Sequence, residues 1–501
     1  MVTDTTKMTQ LNRWLYLFIC IHVIAWTIVP FCVRFTLPMD AMEGTIWGQQ
    51  FEWGYDKNPF LNGWLTALAV NLGGKSGWAV YLFSQLSVAI CFWAVWQLGK
   101  KILPPVYALL AVLLLEGIQY YNLHAIDFND NTLELGLWAL TALFFYQALI
   151  SQSWRDWLFT GVFAGLGMMT KYYTAMLLLP MFFFMLSNPA NRKSFSRPEL
   201  YLGLIVFLII IAPHIIWLFF HDFVTLNYAL DRVSSTPTWF NHFNYSFLFA
   251  WQQFEAFIPP LLLTLLLIAG KRPLLAHPRI SISAFNKAFL FYVGLGPFLL
   301  TVLLSALTGI MLRAGWGEPL LSLWGIILIA WIQPRITVNR FYRFVTVFFT
   351  LLAITLLSYS IALVRAKKPS SANFPGKNIA TTLTTEWHKN FHTPLTYIAG
   401  SRWLAGNIAF YSHDHPAVYI NWDKKLSPWI KEAMMKKQGA IFVWDISEEN
   451  EQMPKEIQRR FEKLGKFRIM HFTWLRNSTM KPVEIGVAFL PPDETSNVSE
   501  I

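Results

Sequence analysis

Long apolar runs separated by short polar loops set the pattern of this chain as far as about residue 364. A helix needs roughly 17–25 predominantly apolar residues to cross a bilayer. Runs of that kind predict spans at about 14–33, 77–98, 102–121, 131–150, 157–170, 173–187, 199–220, 255–270, 288–312, 316–333 and 342–364, eleven in all. The two runs across 157–187 are the shortest. Segment 61–72 (LNGWLTALAVNL) is too short to cross and predicts a helix lying in the interface plane. Beyond Val364 the period changes. Short apolar runs at 395–400, 417–422, 440–446, 467–474 and 483–490 read as strands, with amphipathic stretches at 402–411, 427–437 and 450–464 between the first four. That alternation predicts a small α/β domain with a largely parallel sheet, its last two strands paired antiparallel. The expected organisation is a polytopic helical membrane domain over 1–364, with outer loops 34–76, 122–130 and 221–253, followed by an extracytoplasmic α/β domain over 365–501.

Composition sharpens the picture. Hydrophobic residues make up 55% of the 501 and charged residues only 14%, against about 25% charged in soluble domains. Lipid must therefore act as solvent for most of the chain. The net charge is +11, and many of the basic residues lie in short loops between apolar runs, which points to anionic head groups and away from nucleic acid. With the N-terminus in the cytoplasm, the inner loops hold fifteen Lys and Arg and the outer loops six. That bias predicts N-in, and an odd span count then places the tail outside the cytoplasm. Cys20, Cys32 and Cys91 sit in or beside apolar runs, with no spacing that suggests a disulfide framework or a thiolate metal site. The first apolar stretch lacks a small-residue cleavage site and reads as a retained anchor.

Ionisable residues near a membrane are costly and mark functional candidates. Here they gather on the outer side. The first outer loop carries Asp40, Glu43, Glu52, Asp56 and Lys57, and the second carries His124, Asp127, Asn129, Asp130 and Glu134. Lys171, Arg232, Arg313 and Glu318 follow. Acids beside isolated cations suit a phosphate-linked substrate: cations steady the phosphate while a carboxylate takes a proton from an incoming hydroxyl. Each residue also has a plainer reading. Asp40 and Glu43 fit the first turn of a helix, Lys57 before Asn58-Pro59 fits a turn, Lys171 could snorkel, and Arg232 and Arg313 fit solvated loops. His124 stands in no metal-ligand spacing. Their common sidedness is the stronger signal.

The motifs then resemble a known family. D-x-x-E-G-x-x-W-G followed by W-G-Y-x-K-N-P-x-L (40–61), D-F-N-D-N-T-L-E-L-G-L-W (127–138), G-L-G-M-M-T-K-Y (165–172) and P-H-I-I-W-x-x-x-H-D-F (213–223) resemble, in order, elements of the C-type-fold, polyprenyl-phosphate-dependent glycosyltransferases. That family includes bacterial relatives of protein O-mannosyltransferases and the aminoarabinose transferase that modifies lipid A. The tail motif T-P-L-x-Y-I-A-G-x-x-W-L-A-G-N-I-A-F-Y-S (393–412) resembles the extracytoplasmic domain of one bacterial branch. Ala41 follows Asp40 where relatives have an adjacent Asp-Glu, and Phe60 follows Pro59 where they have Pro-Pro. No single branch therefore supplies the sugar or the acceptor.

The resemblance implies an inverting transferase in the bacterial inner membrane. It would move a sugar from an undecaprenyl-phosphate-type donor to a periplasmic acceptor, either lipid A/lipopolysaccharide or another glycan or protein. By the same resemblance Asp40 takes the acid/base position, with Glu43, Asp127 and Asp130 as further catalytic carboxylates. Lys57, Lys171, Arg232 and Arg313 would hold the donor phosphate, and Tyr55, His124, Asn129, Tyr172 and Glu318 would contact substrate. The resemblance fixes no cofactor, and a divalent cation on Asp40, Asp127 and Asp130 stays an open alternative. A rival reading is a lipid or polyprenyl-sugar flippase, although no internal repeat marks one.

Overall fold

The computed structural model describes residues 2–231, 238–268, 280–334, 336–446, 452–476 and 479–493. Helices α1 (Val2–Val33), α2 (Met39–Gly48), α3 (Leu61–Leu72), α4 (Trp78–Ile102), α5 (Pro105–Leu115), α6 (Asp130–Ser151), α7 (Trp154–Thr170) and α8 (Ala175–Leu186) open the chain. Long helices Pro198–Phe220, Trp239–Ile268 and Val338–Val364 follow, with helix Gly296–Thr308 continuing a π turn at Leu290–Leu295. Pro297 stands just after that turn. It donates no backbone N–H and its ring crowds the preceding turn, which accounts for the widened register there.

Among the described residues seven helices are long and apolar enough to cross a membrane, or up to ten if each of three bent helix pairs counts as one span. The expected eleven is not confirmed by this count. Hydropathy reports composition and is blind to bends. The run expected at 102–121 is α5 turning by 82° into short helical turns over Gln119–Ile126. The run at 173–187 belongs to a pair bent by 105°, and the run at 316–333 is bent by 57°. Helix α7 has 17 residues, at the lower end of the roughly 17–25 that cross a bilayer. Parity therefore no longer decides the side of the tail, and orientation rests on the charge bias alone. The segment expected as an outer loop at 221–253 carries helix Val224–Asp231, and from Trp239 the chain is in the helix that ends at Ile268. Asn241, His242, Asn244, Gln252 and Gln253 lower the hydropathy of that first half.

The chain forms two compact units. The first comprises Met1–Thr27, Lys57–Asn62 and Leu82–Leu356. Its described part is helical, around a core that includes Phe92, Trp96, Trp138, Phe145 and Phe289. Helices α6, α7 and Pro198–Phe220 pack side by side. A Cβ at Gly161 would strike the Gly203 carbonyl, and one at Gly203 would strike the Trp157 carbonyl. In lipid, where burial between helices gains little, such bare backbone contact drives association.

The second unit comprises Ile28–Asp56, Gly63–Tyr81 and Leu357–Ile501. Strands β1 (Tyr397–Gly400), β2 (Ala417–Ile420), β3 (Ala440–Asp445), β4 (Arg468–Phe472) and β5 (Val483–Leu490) each fall inside an expected run. They form one sheet in the order β2-β1-β3-β5-β4. Strand β1 pairs parallel with β2 and β3, while β5 pairs antiparallel with β3 and β4. The core joins Ile398, Val418 and Val443 of the sheet to Ile379 and Leu383 of helix Gly376–Phe391 and Ile408 of helix Arg402–Tyr411. Helix Gly376–Phe391 was not among the expected elements. The compact boundary also differs from a cut at 364, because α2 packs against helix Arg402–Tyr411. A Cβ at Gly406 would sit 2.9 Å from Ile46 and 3.3 Å from Met42.

Candidate active site

In the helical unit, polar side chains converge where α6 begins and α7 ends. Asn129 caps α6, its side chain accepting from the Thr132 N–H at 3.0 Å. Asp130 is the first helical residue, where the helix dipole favours a carboxylate. Helix α7 stops at Thr170, and Lys171 adopts extended backbone (φ −159°, ψ 138°). Its Nζ lies 2.8 Å from Asp130 Oδ2, donates to Asn131 Oδ1 and sits 5.3 Å from the centre of the Trp316 ring. Glu134, four residues along from Asp130 and therefore on the same helix face, is fully buried. Its Oε1 accepts from Trp138 Nε1 at 3.3 Å and Thr174 Oγ1 at 2.9 Å.

Glu318 is 3% exposed and its Oε1 lies 3.2 Å from His124 Nδ1. Tyr120 packs edge-on to His124 at 5.1 Å and donates to Gln253 Oε1 at 3.0 Å. The second carboxylate oxygens of Glu134 and Glu318 are buried without a hydrogen-bond partner. The site thus offers one cation flanked by carboxylates, a tryptophan face beside it and two unspent buried acceptors.

Other expected residues fall elsewhere in the same unit. Tyr172 hydrogen-bonds His214, which stacks on Trp217, which in turn stacks on His221 at 4.0 Å. Lys57 approaches the Tyr228 ring at 6.0 Å. Arg313 is exposed just before the turn that carries Trp316, and Asp127 precedes the α6 cap as a backbone acceptor for Thr132 Oγ1 at 3.1 Å. Arg232 lies outside the described residues.

The remaining acids belong to the second unit. Asp40 is exposed on the first turn of α2. Glu43 faces inward and forms an ion pair with Arg402 Nη1 at 2.7 Å, and Arg402 Nη2 pairs with Asp56. Tyr55 stacks on Trp47 at 5.2 Å and donates to the Gln50 carbonyl at 2.7 Å, so its ring and hydroxyl both serve packing. Among the described residues no three His, Cys, Asp or Glu side chains gather into a cation-binding group. Sequence reading missed Asn131, Trp138, Thr174, Trp316 and Arg402. The four-residue step from Asp130 to Glu134 and Trp138 could have flagged the first part of this set. Nothing local flags Arg402.

The crystal structure of ArnT from Cupriavidus metallidurans bound to undecaprenyl phosphate matches this fold with a TM-score of 0.61 and 13% identity, covering 95% of this chain and 98% of that one. The chain has the C-type glycosyltransferase fold. The apo form of the same ArnT matches this C-type chain at a TM-score of 0.60 and 12% identity, over 95% of this chain and 98% of that one. Residues 57–217 match the family described as dolichyl-phosphate-mannose-protein mannosyltransferase, and this stretch contains Lys57, Asp130, Glu134 and Lys171. The lipopolysaccharide core galacturonosyltransferase RgtB of Rhizobium johnstonii is 24% identical over 218 residues. That alignment spans 42% of this chain and 44% of RgtB, under half the length of the curated relative.

Proposed function

We propose that this chain is an integral membrane glycosyltransferase that moves a sugar from a polyprenyl-phosphate donor to a lipopolysaccharide or other periplasmic acceptor. The carrying observation is the Lys171–Asp130 pair beside Trp316, with buried acceptor oxygens of Glu134 and Glu318 left unspent. A lone ammonium held among carboxylates is a ready phosphate contact once an anionic donor competes for it. Buried acceptors without donors favour a ligand rich in hydroxyls, because each otherwise stays desolvated and unbonded. The likeness to ArnT, solved with undecaprenyl phosphate, and to RgtB, a lipopolysaccharide-core galacturonosyltransferase, supports the same donor and acceptor classes.

In the proposed reaction the bond from the anomeric carbon to the phosphate oxygen breaks and a bond to the acceptor oxygen forms on the opposite face. The phosphate leaves with the electron pair, and Lys171, aided by Lys57, neutralises it. For a hydroxyl acceptor a carboxylate takes the proton, the role that the motif resemblance gives Asp40; for an acceptor phosphate, already anionic, no base is needed. A divalent ion, where used, would draw on phosphate oxygens as well as carboxylates. The charge bias supports an N-terminus in the cytoplasm and chemistry at the periplasmic face of the bacterial inner membrane.

The test compares lipid A and core oligosaccharide masses from cells with and without the gene, and with Asp40→Asn or Lys171→Gln in its place. Loss of one sugar mass is expected in the deletion and in Lys171→Gln, and in Asp40→Asn for a hydroxyl acceptor. Acceptor masses that stay the same in the deletion strain would refute the transferase reading.

A further inference from the structure

We propose that a cation-lined groove in the second unit binds the phosphate of an anionic lipid head group. The groove has a volume of about 990 Å³ and is lined by Arg34, Lys75, Lys377, His413 and His415, with no carboxylate among its lining residues. Three of these five side chains carry a full charge at neutral pH. The nearby Asp414 does not offset them: its Oδ2 accepts from the Leu395 N–H at 2.7 Å and lies 2.7 Å from His388 Nε2. Burial, followed by repulsion from the Lys75 ammonium, holds the His415 imidazole below its ordinary pKa. Like charges crowded this way favour an anion between them.

Hydroxyls complete the surface. Lys377, Thr381, Thr384 and Thr385 of helix Gly376–Phe391 recur at helical spacing along the groove, and Thr384 is hydrogen-bonded to Ser412 at 2.8 Å. On the other side runs the loop Gly74–Gly77, in which Gly74 (φ 62°) and Lys75 (φ 61°) both adopt left-handed backbone. That tight turn holds Lys75 at the groove.

The lipid source follows from where the groove lies along the chain. Phe31 belongs to the last turn of α1 and Tyr81 to the first turn of α4, both helices long and apolar enough to span. The end of one span and the start of the next meet the same membrane surface. Phe31 and Phe35 are exposed at 46% and 42%, and the Arg476 guanidinium covers the Phe35 ring at 4.8 Å. Aromatic rings beside cations are the pairing that seats a head group while its chains stay in the bilayer. This inference stands apart from the transferase reading, since none of these residues has a role in the proposed reaction.

The test uses the full chain in detergent micelles and measures binding of short-chain phosphatidic acid, short-chain phosphatidylcholine and inorganic phosphate by calorimetry. The variant is Lys75→Asn with Lys377→Gln; asparagine tolerates the left-handed backbone at position 75. Phosphatidic acid should bind, phosphatidylcholine should not, and the double variant should lose about 25-fold in affinity, roughly fivefold for each cation. Inorganic phosphate should displace the lipid only at much higher concentration. Equal affinity for inorganic phosphate would overturn the lipid assignment while keeping the anion site. Undiminished binding of phosphatidic acid by a double variant with parental melting behaviour would overturn the site itself.

Discussion

Replacing Arg402 by alanine should destabilise the second unit by about 3–5 kcal/mol, the usual consequence of removing one partner from a buried ion pair. Arg402 is the first residue of its helix, a position where the helix dipole disfavours a cation, so its place there is stabilised by what it touches. Its two terminal nitrogens serve two acids from the segment 28–56, Glu43 at 7% exposure and Asp56 at 4%. Truncation leaves both carboxylates buried without their cation, and α2, which carries Asp40, loses its polar tie to helix Arg402–Tyr411. At about 2–4 °C per kcal/mol for a unit of this size, the midpoint should fall by about 6–20 °C. Arg402→Lys should recover only part of this, because a single ammonium cannot reproduce the two nitrogens that reach Asp56 together while one of them also meets Glu43. The triple change Arg402→Met, Glu43→Gln, Asp56→Asn should recover most of it, since no buried charge is left unpaired. Thermal unfolding of the purified chain in detergent, followed by tryptophan fluorescence, reads all three. An alanine variant that melts within about 2 °C of the parent would refute the reasoning, and so would a triple variant no better than the single one.

Lys171→Gln should lower sugar transfer by about 10²–10³-fold, the scale seen on removing one preorganised electrostatic contact, while Lys171→Arg keeps a measurable fraction; acceptor mass spectrometry in membranes checks both. Asp40→Asn should abolish transfer to a hydroxyl acceptor with a melting midpoint like the parent's, because Asp40 is exposed and its helix is held elsewhere. Gly161→Leu should separate α7 from helix Pro198–Phe220 and cost about 1–3 kcal/mol or more through overpacking, seen as a lower midpoint in detergent. In the α/β region, burial opposes ionisation of Glu432, but hydrogen bonds from Tyr419, Arg460 and Lys424 outweigh it and hold the carboxyl below its ordinary pKa. A depressed folded-state value means the stabilisation is complete above the unfolded value, near 4.5, and is lost as pH falls through the folded one. The parent should therefore melt above Glu432→Gln at pH 7, and the gap should close in acid.

The sequence by itself determined the solvent of each region. Long, nearly continuous apolar runs specify helices in lipid, and short apolar runs beyond residue 364, spaced by amphipathic stretches, specify strands, because the length of an apolar run must match the layer that buries it. All five strands and helix Arg402–Tyr411 were legible for that reason, and Asp130 and Lys171 stood out as candidates, since charge beside apolar runs is costly. Where a span bends was not legible, because 102–121 is as apolar bent as straight. Nor was the partnership of residue 402 with residues 43 and 56, which no local pattern encodes. Only tertiary packing decides which distant charges neutralise one another: it pairs Glu43 with Arg402 and brings Glu134, Trp316 and Glu318 to Lys171.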